Sequence, residues 1–264
     1  MLVTGASSGI GEASAVRLAR GGWRVLAGVR KVGDAPGGTE EVLLDVTDPA
    51  QVGAVAERVE ELHALVNNAG IAISSPLEAI PLDELRRQLD VNVVGQVAVT
   101  QALLPALRRA RGRVVFVGSI AGRSALPFLG AYAASKHALE AIADSLRVEL
   151  SPWRIQVSIV EPGTIATPIW QTAGATAQAI LARVPPETLA LYEDRIAAFR
   201  RAATAAGRRG QPAERVAEAV EHALTADRSK TRYLVGRDAK LRAGFERLPD
   251  RLRDRVYERA LLRS

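Results

Sequence analysis

A doubly wound, parallel α/β sheet of seven strands, forming one domain with a lid insertion after the sixth strand, is the fold class this sequence predicts. Short apolar, β-branched runs alternate with longer amphipathic stretches, the pattern of strand–crossover–strand units whose sheet is covered on both faces. A glycine-rich segment sits between the first apolar run and the first amphipathic stretch. No repeat or low-complexity linker divides the 264 residues, and α/β folds of roughly 250 residues commonly form one unit.

Strands are expected at residues 1–4, 24–29, 41–44, 64–66, 114–117, 155–160 and 233–235, whose near-continuous apolar character suits burial on both faces. Helical periodicity is expected over 12–20, 49–62, 82–109, 131–150 and 213–226. The crossover 30–45 carries Gly33, Pro36, Gly37 and Gly38, so its helix is expected to be very short or replaced by a loop. Residues 164–211 are helical in parts and interrupted by Pro168, Gly174, Pro185, Pro186 and Gly207. An insertion of that length after a strand end suits a substrate lid or pocket wall within a domain spanning 1–264.

Composition narrows the chemistry. Hydrophobic residues make up 48% of the chain, enough for a full core without staples. The absence of cysteine removes disulfides and thiol nucleophiles, and three scattered histidines argue against a zinc centre, so no metal is expected. No apolar run reaches the ~18 residues of a membrane span and no leader precedes the first motif, which makes a soluble cytoplasmic protein the expectation. The net charge of +6 reflects arginines near the end, Arg242, Arg247, Arg251, Arg253, Arg255 and Arg259, interleaved with Glu246, Asp250, Asp254 and Glu258. That spacing fits a solvated, ion-paired helix face. A nucleic-acid partner is not expected, because aromatic platforms are scarce at 4% of residues.

Leu2-Val3-Thr4-Gly5-Ala6-Ser7-Ser8-Gly9-Ile10-Gly11 joins the first strand to the first helix, where glycines admit a pyrophosphate to free N–H groups at a helix N-terminus. Glycines alone also suit a tight turn; the flanking strand and helix favour a dinucleotide seat. The spacing Gly-x-x-x-Gly-x-Gly differs from the usual Rossmann Gly-x-Gly-x-x-Gly. Val29 and Arg30 end the second strand, where a ribose-binding carboxylate would favour NAD; a cation there points to NADP(H), with NAD(H) the alternative. Arg30 is otherwise a plain surface arginine.

Tyr132 and Lys136 share one face of a helical pattern that continues through Leu139, Ala143, Leu146 and Leu150. A lysine on an apolar face either snorkels to the edge or meets partners. An ammonium beside tyrosine stabilises the phenolate, whose parent pKa of ~10 is too high for acid/base work at neutral pH. Ser119 ends the fifth strand, either as a turn serine or as a donor to a substrate oxygen. Asn92 lies beside the stripe Leu85, Leu89, Val93, Leu103, as a core amide or as an anchor for water linked to Lys136.

Together these residues resemble the short-chain dehydrogenase/reductase family, a Rossmann-fold family, over nearly the whole chain. Residues 4–11 are similar to its cofactor loop, Asp45-Val46 to its adenine contact, and Asn67-Asn68-Ala69-Gly70 to its fourth-strand motif. Asn92, Ser119, Tyr132 and Lys136 match its catalytic tetrad, and Pro162-Gly163-Thr164-Ile165-Ala166-Thr167 its nicotinamide-holding segment. The resemblance implies hydride transfer between nicotinamide and a carbonyl or alcohol, with Ser119 binding the carbonyl, Tyr132 as acid/base, Lys136 as ribose and tyrosine partner, and Asn92 as water anchor. It also implies a homodimer or homotetramer. The Arg30 edge, residues 160–168 and the arginine-rich tail are most similar to bacterial members akin to hydroxysteroid and retinol dehydrogenases. The chain departs from the family in having fewer residues before Leu2 and a shorter second crossover. Ile120, Phe128, Ile165, Ile169 and Trp170 would wall an apolar pocket for a steroid-, retinoid- or lipid-like substrate. The alternative is a dinucleotide-binding redox sensor or scaffold without turnover.

Overall fold

In the computed structural model, which describes residues 1–261, the seven expected strands all form, each within two residues of its expected bounds. They are β1 (Leu2–Thr4), β2 (Leu26–Val29), β3 (Glu40–Leu43), β4 (Ala64–Asn67), β5 (Arg113–Val117), β6 (Gln156–Pro162) and β7 (Arg232–Val235). Every pairing is parallel, in the order β3-β2-β1-β4-β5-β6-β7. The order reverses between β1 and β4, and ligands in such sheets bind at the carboxyl ends of the strands flanking that point.

Alternation along the strands builds two cores. Leu2, Leu26, Leu65, Val114, Phe116 and Ile159 enter one apolar layer; Val3, Ala27, Val66, Val115, Val117 and Val160 enter the other. The crossovers contribute α1 (Gly9–Arg20), α2 (Pro49–Arg58), α3 (Leu82–Leu89), α4 (Gly95–Ala110) and α5 (Gly130–Glu149). Val52, Val55, Leu103, Leu107, Leu139 and Ala143 from α2, α4 and α5 complete the first layer. Ala15 and Leu18 of α1 serve the second. Phe116 is fully buried at the sheet centre, and its truncation to Ala would cost about 3–5 kcal/mol.

Local chemistry sets where the helices begin and stop. Asp48 caps α2, its carboxylate accepting from Ala50 N and Gln51 N, with Pro49 in the first turn. The helix expected over 49–62 stops at Arg58 because the chain turns under α4, where Leu62 N donates to Ala106 O. The second crossover has no helix; Glu41 holds its loop by accepting from Gly33 N at 2.7 Å.

Two long stretches depart from uniform periodicity. The helix expected over 82–109 is interrupted by a π-helical turn, Asp90–Val94, which separates α3 from α4. Residues 164–211 form α6 (Ile169–Leu181), α7 (Pro186–Ala190) and α8 (Glu193–Arg208). Their base is closed by Ala166 N donating to Gln211 O and Gln211 N donating to Thr164 O. Arg183 pairs with Asp83 of α3, and Tyr192 donates to Glu78, so the insertion docks over the segment after β4. α9 (Glu214–Thr225) then completes the second layer with Val216, Val220 and Ala223. The chain continues through α10 (Arg237–Phe245) and α11 (Asp250–Leu261). Arg253 pairs with Glu246 and Asp250, as the charge spacing predicts.

Candidate active site

The glycine loop after β1 is shaped by close backbone packing. Gly5 and Gly9 have φ of +63° and +59°, the left-handed region that favours glycine. A side chain at Gly11 would collide with the Gly5 carbonyl and the Asn68 amide, so Gly11 keeps loop and helix together without lining the cleft itself. Thr4 Oγ1 accepts from the backbone of Asn68 and Ala69, both at 2.9 Å, while Asn68 Nδ2 donates to the carbonyls of Thr4 and Gly5. The Asn67-Asn68-Ala69-Gly70 motif therefore clamps the loop. Ser8 precedes α1 without a side-chain cap hydrogen bond, leaving N–H groups of the first turn available to an anion.

A cleft of about 710 Å³ runs along the carboxyl edge of the sheet. Gly5, Ser7, Ser8, Gly9 and Ile10 line one end, with Arg30, Asp45 and Val46 beside them. Arg30 is exposed. Burial pushes the Asp45 carboxyl up, but bonds from the Thr47 hydroxyl and amide, with the Arg30 cation, outweigh it and hold Asp45 below the usual carboxylate range. Asn68, Ala69 and Gly70 after β4 line it too, as do Pro162, Gly163, Thr164, Ile165 and Thr167 at and beyond the end of β6.

Ser119, Tyr132 and Lys136 meet at the far end of the cleft. Lys136 is 5% exposed, and its Nζ donates to Val117 O at 2.9 Å and lies 5.7 Å from the Tyr132 ring centroid. Burial lowers its pKa to about 8, against the opposing field of Glu140. Burial also raises the Tyr132 phenol above its ordinary value, opposed by the Ser119 hydroxyl in hydrogen-bonding reach and by the Arg242 cation. Ser119 serves as a turn serine too, accepting from Ala121 N at 3.1 Å.

Asn92 lies at the π-helical turn and is fully buried. Its Nδ2 donates to Ile71 O and Ser135 Oγ, and its Oδ1 accepts from Ile71 N. Both amide hydrogens are thus spent on protein acceptors, which ties α5 to the segment after β4 rather than leaving a donor for water. Phe128, expected on the pocket wall, stands behind it; its ring packs on Tyr192 and Phe199, and Phe199 faces the cleft instead. Ile120, Ile169 and Trp170 do line the cleft, with Trp170 Nε1 anchored on Ile165 O.

Several groups around the site had no clear sequence signal. Asp238 at the start of α10 accepts from Thr164 N at 2.6 Å and fills the space a side chain at Gly163 would need, which pins the segment after β6. Beneath Lys136, the buried Glu161 carboxylate pairs with Arg123 and Arg232, and Arg232 also binds Glu140 and Asp144. Glu140 is raised to about 7, by burial first and then by Glu161. Its position four residues after Lys136, on the same helix face, was the one available hint.

Residues 1–178 match the family model for short chain dehydrogenases. The chain belongs to the short-chain dehydrogenase/reductase family. It is accordingly an oxidoreductase of CH–OH/C=O groups. Retinol dehydrogenase 5 of Mus musculus is 41% identical over 267 residues, covering 91% of this chain and 81% of that protein. An NADPH-dependent 3-dehydrocapnine reductase of Ornithobacterium rhinotracheale is 35% identical, covering 98% and 96%. A short chain dehydrogenase from Burkholderia cenocepacia J2315, solved in complex with NADP, superposes with a TM-score of 0.76 at 28% identity, covering 98% and 96%. Among the described residues no helix is long and apolar enough to cross a membrane.

Proposed function

We propose that this short-chain dehydrogenase/reductase uses NADP(H), in preference to NAD(H), to interconvert an apolar ketone or aldehyde with its alcohol. The observation that carries the reading is the convergence of Ser119, Tyr132 and Lys136 at one end of a cleft whose other end holds the free N-terminus of α1 and the Arg30 cation. The residues fit a dinucleotide: the glycine loop leaves no room for side chains at Gly5 or Gly11, and Arg30 offers a 2′-phosphate a guanidinium. When bound, the nicotinamide supplies or accepts the hydride.

The chain's own groups handle the oxygen. Ser119 orients the carbonyl with its hydroxyl proton while its oxygen stays on Ala121 N. Tyr132 gives its phenolic proton to the forming alkoxide, or takes one from an alcohol. Lys136, with one hydrogen on Val117 O, keeps two for a ribose and for stabilising the phenolate. Residues 164–211 act as the lid, carrying Ile169, Trp170 and Phe199 onto the cleft as an apolar wall that excludes water. That wall supports a steroid-, retinoid- or lipid-like substrate class. The reading also places the protein in the cytoplasm as a homodimer or homotetramer, which light scattering after gel filtration checks.

Fluorescence titration with NADPH and NADH, followed by turnover of hydrophobic ketones by wild type and Tyr132→Phe, tests the function. Tighter NADPH binding and a loss of about 10²-fold or more in kcat for the variant are expected. A small polar substrate preferred over every apolar one would overturn the substrate class. Nucleotide binding without turnover of any carbonyl or alcohol would favour the sensor reading.

A further inference from the structure

The C-terminal helices deliver a cation to the apolar end of the cleft. Arg242 of α10 lines the cleft on the Tyr132 side. One terminal nitrogen donates to Ser124 O at 3.1 Å and to Ser124 Oγ at 3.0 Å, both neutral acceptors. Its Nε is buried and has no hydrogen-bond partner. Among the described residues no carboxylate pairs with it. The carboxylate one turn further along the chain, Glu246, is already committed: it accepts from Tyr257 at 2.8 Å and pairs with Arg253 at 2.7 Å.

The guanidinium is also held in place. Ser124 is fully buried, its hydroxyl bonds the Tyr257 hydroxyl at 2.7 Å, and Tyr257 is anchored on Glu246. The Tyr257 ring packs edge-on against Phe245 at 5.3 Å. Nε, without exposed surface, is out of a ligand's reach, but the second terminal nitrogen is not buried and makes no hydrogen bond among the described residues, so an anion there would complete a cation whose protein partners are all neutral. Arginine's planar fork suits a carboxylate, which it can grip with two N–H groups. Arg242 bonds Ser124, whose N–H donates to the carbonyl of Ile120, the residue after Ser119, and Arg242 and Tyr132 both line the cleft, so the anion and the reacting carbonyl would belong to one bound molecule.

We propose that Arg242 is a specificity-determining residue that binds a carboxylate of the substrate, so that the preferred substrates are apolar oxo acids, or the matching hydroxy acids, with the carboxylate near the reacting carbon. The inference rests on the reading of the cleft given above and narrows its substrate class.

The test compares γ-oxodecanoate with its methyl ester for wild type, Arg242→Gln and Arg242→Lys. Wild type is expected to favour the acid by at least about thirty-fold in kcat/KM, the scale of a charge-assisted pair in a desolvated site. Arg242→Gln should bring the acid-to-ester ratio close to one, and Arg242→Lys should restore part of it. Because the ratio is the readout, a general change in folding or in Tyr132 acidity cancels. No acid preference in wild type, or a ratio left intact in Arg242→Gln, overturns the proposal.

Calorimetric titration of the NADP⁺-saturated protein with decanoate and with decanol gives a second readout independent of turnover. Tighter binding of decanoate that depends on Arg242 would uphold the anion site even if no ketone were reduced, in which case the oxidoreductase reading alone would fail. Turnover of neutral ketones through Tyr132, with no advantage for acids, would leave that reading standing and remove this one.

Discussion

Lys136 Nζ lies 5.7 Å from the Tyr132 ring centroid while donating to the carbonyl of Val117 at 2.9 Å. One helix face thus presents a phenol and an ammonium together, and β5 fixes the height of the ammonium. Burial lowers the Lys136 pKa to about 8 from 10.5, so the folded protein binds fewer protons here than the unfolded chain between those values. Stability from this group therefore rises with pH across that window and is lost as pH falls through about 8. Lys136→Met is expected to melt a few degrees higher than wild type near pH 7, with the gap closing towards pH 10, while turnover falls by about 10²-fold or more. Melting curves against pH, with steady-state kinetics, check both parts.

Glu140 titrates with the opposite sign. Its carboxyl is raised to about 7 by burial and by Glu161, against Arg232. The folded state holds more protons than the unfolded one between pH 4.5 and about 7, so this contribution is full below 4.5 and lost as pH rises through about 7. Glu140→Gln should flatten the melting temperature across that interval. An unchanged slope in the variant would show that the buried cluster does not titrate.

On the proposed reading, Arg30 is the residue that would distinguish the two nicotinamide cofactors. A guanidinium bonded to a 2′-phosphate contributes about 1.5–3 kcal/mol, or roughly ten- to a hundred-fold in Kd. Arg30→Gln should weaken NADPH by that factor and leave NADH nearly unaffected, since the exposed side chain has no role in the core. Equal effects on both cofactors would move the phosphate site elsewhere.

Asp238 holds the segment after β6 by accepting from Thr164 N at 2.6 Å. Asp238→Ala removes a charged acceptor from that N–H, at a cost of about 1.5–3 kcal/mol. A lower melting temperature is expected together with a rise of about tenfold in the Kd for NADPH. Denaturant unfolding and fluorescence titration separate the two effects.

Much of the fold is legible in the chain because its signals are local. Apolar runs such as Val114 to Val117 announce a strand covered on both faces, and Asp48-Pro49 announces a helix start. The closeness of Tyr132 and Lys136 is legible for a different reason: they lie on one helix, so their spacing alone places them together. The π-helical turn at Asp90–Val94 was not legible, because the apolar stripe continues through it and its stabilising bonds come from Ile71 and Ser135. Nor was the exchange of Phe128 for Phe199 on the wall, which depends on how the 164–211 insertion lands.

By itself, then, the sequence determined the strand order's raw material, the glycine loop and the pairing of Tyr132 with Lys136 on one face, all set by periods of two and 3.6 residues and by glycine's backbone freedom. Only the tertiary structure decided which distant charges meet. Asp238 reaches Thr164 across 74 residues, Arg123 reaches Glu161 across 38, and Arg242 reaches Ser124 across 118. Such pairings depend on β6 lying between β5 and β7 and on α10 packing beside β7. An arginine's neighbours in sequence carry no information about which carboxylate, serine or ligand its guanidinium will face.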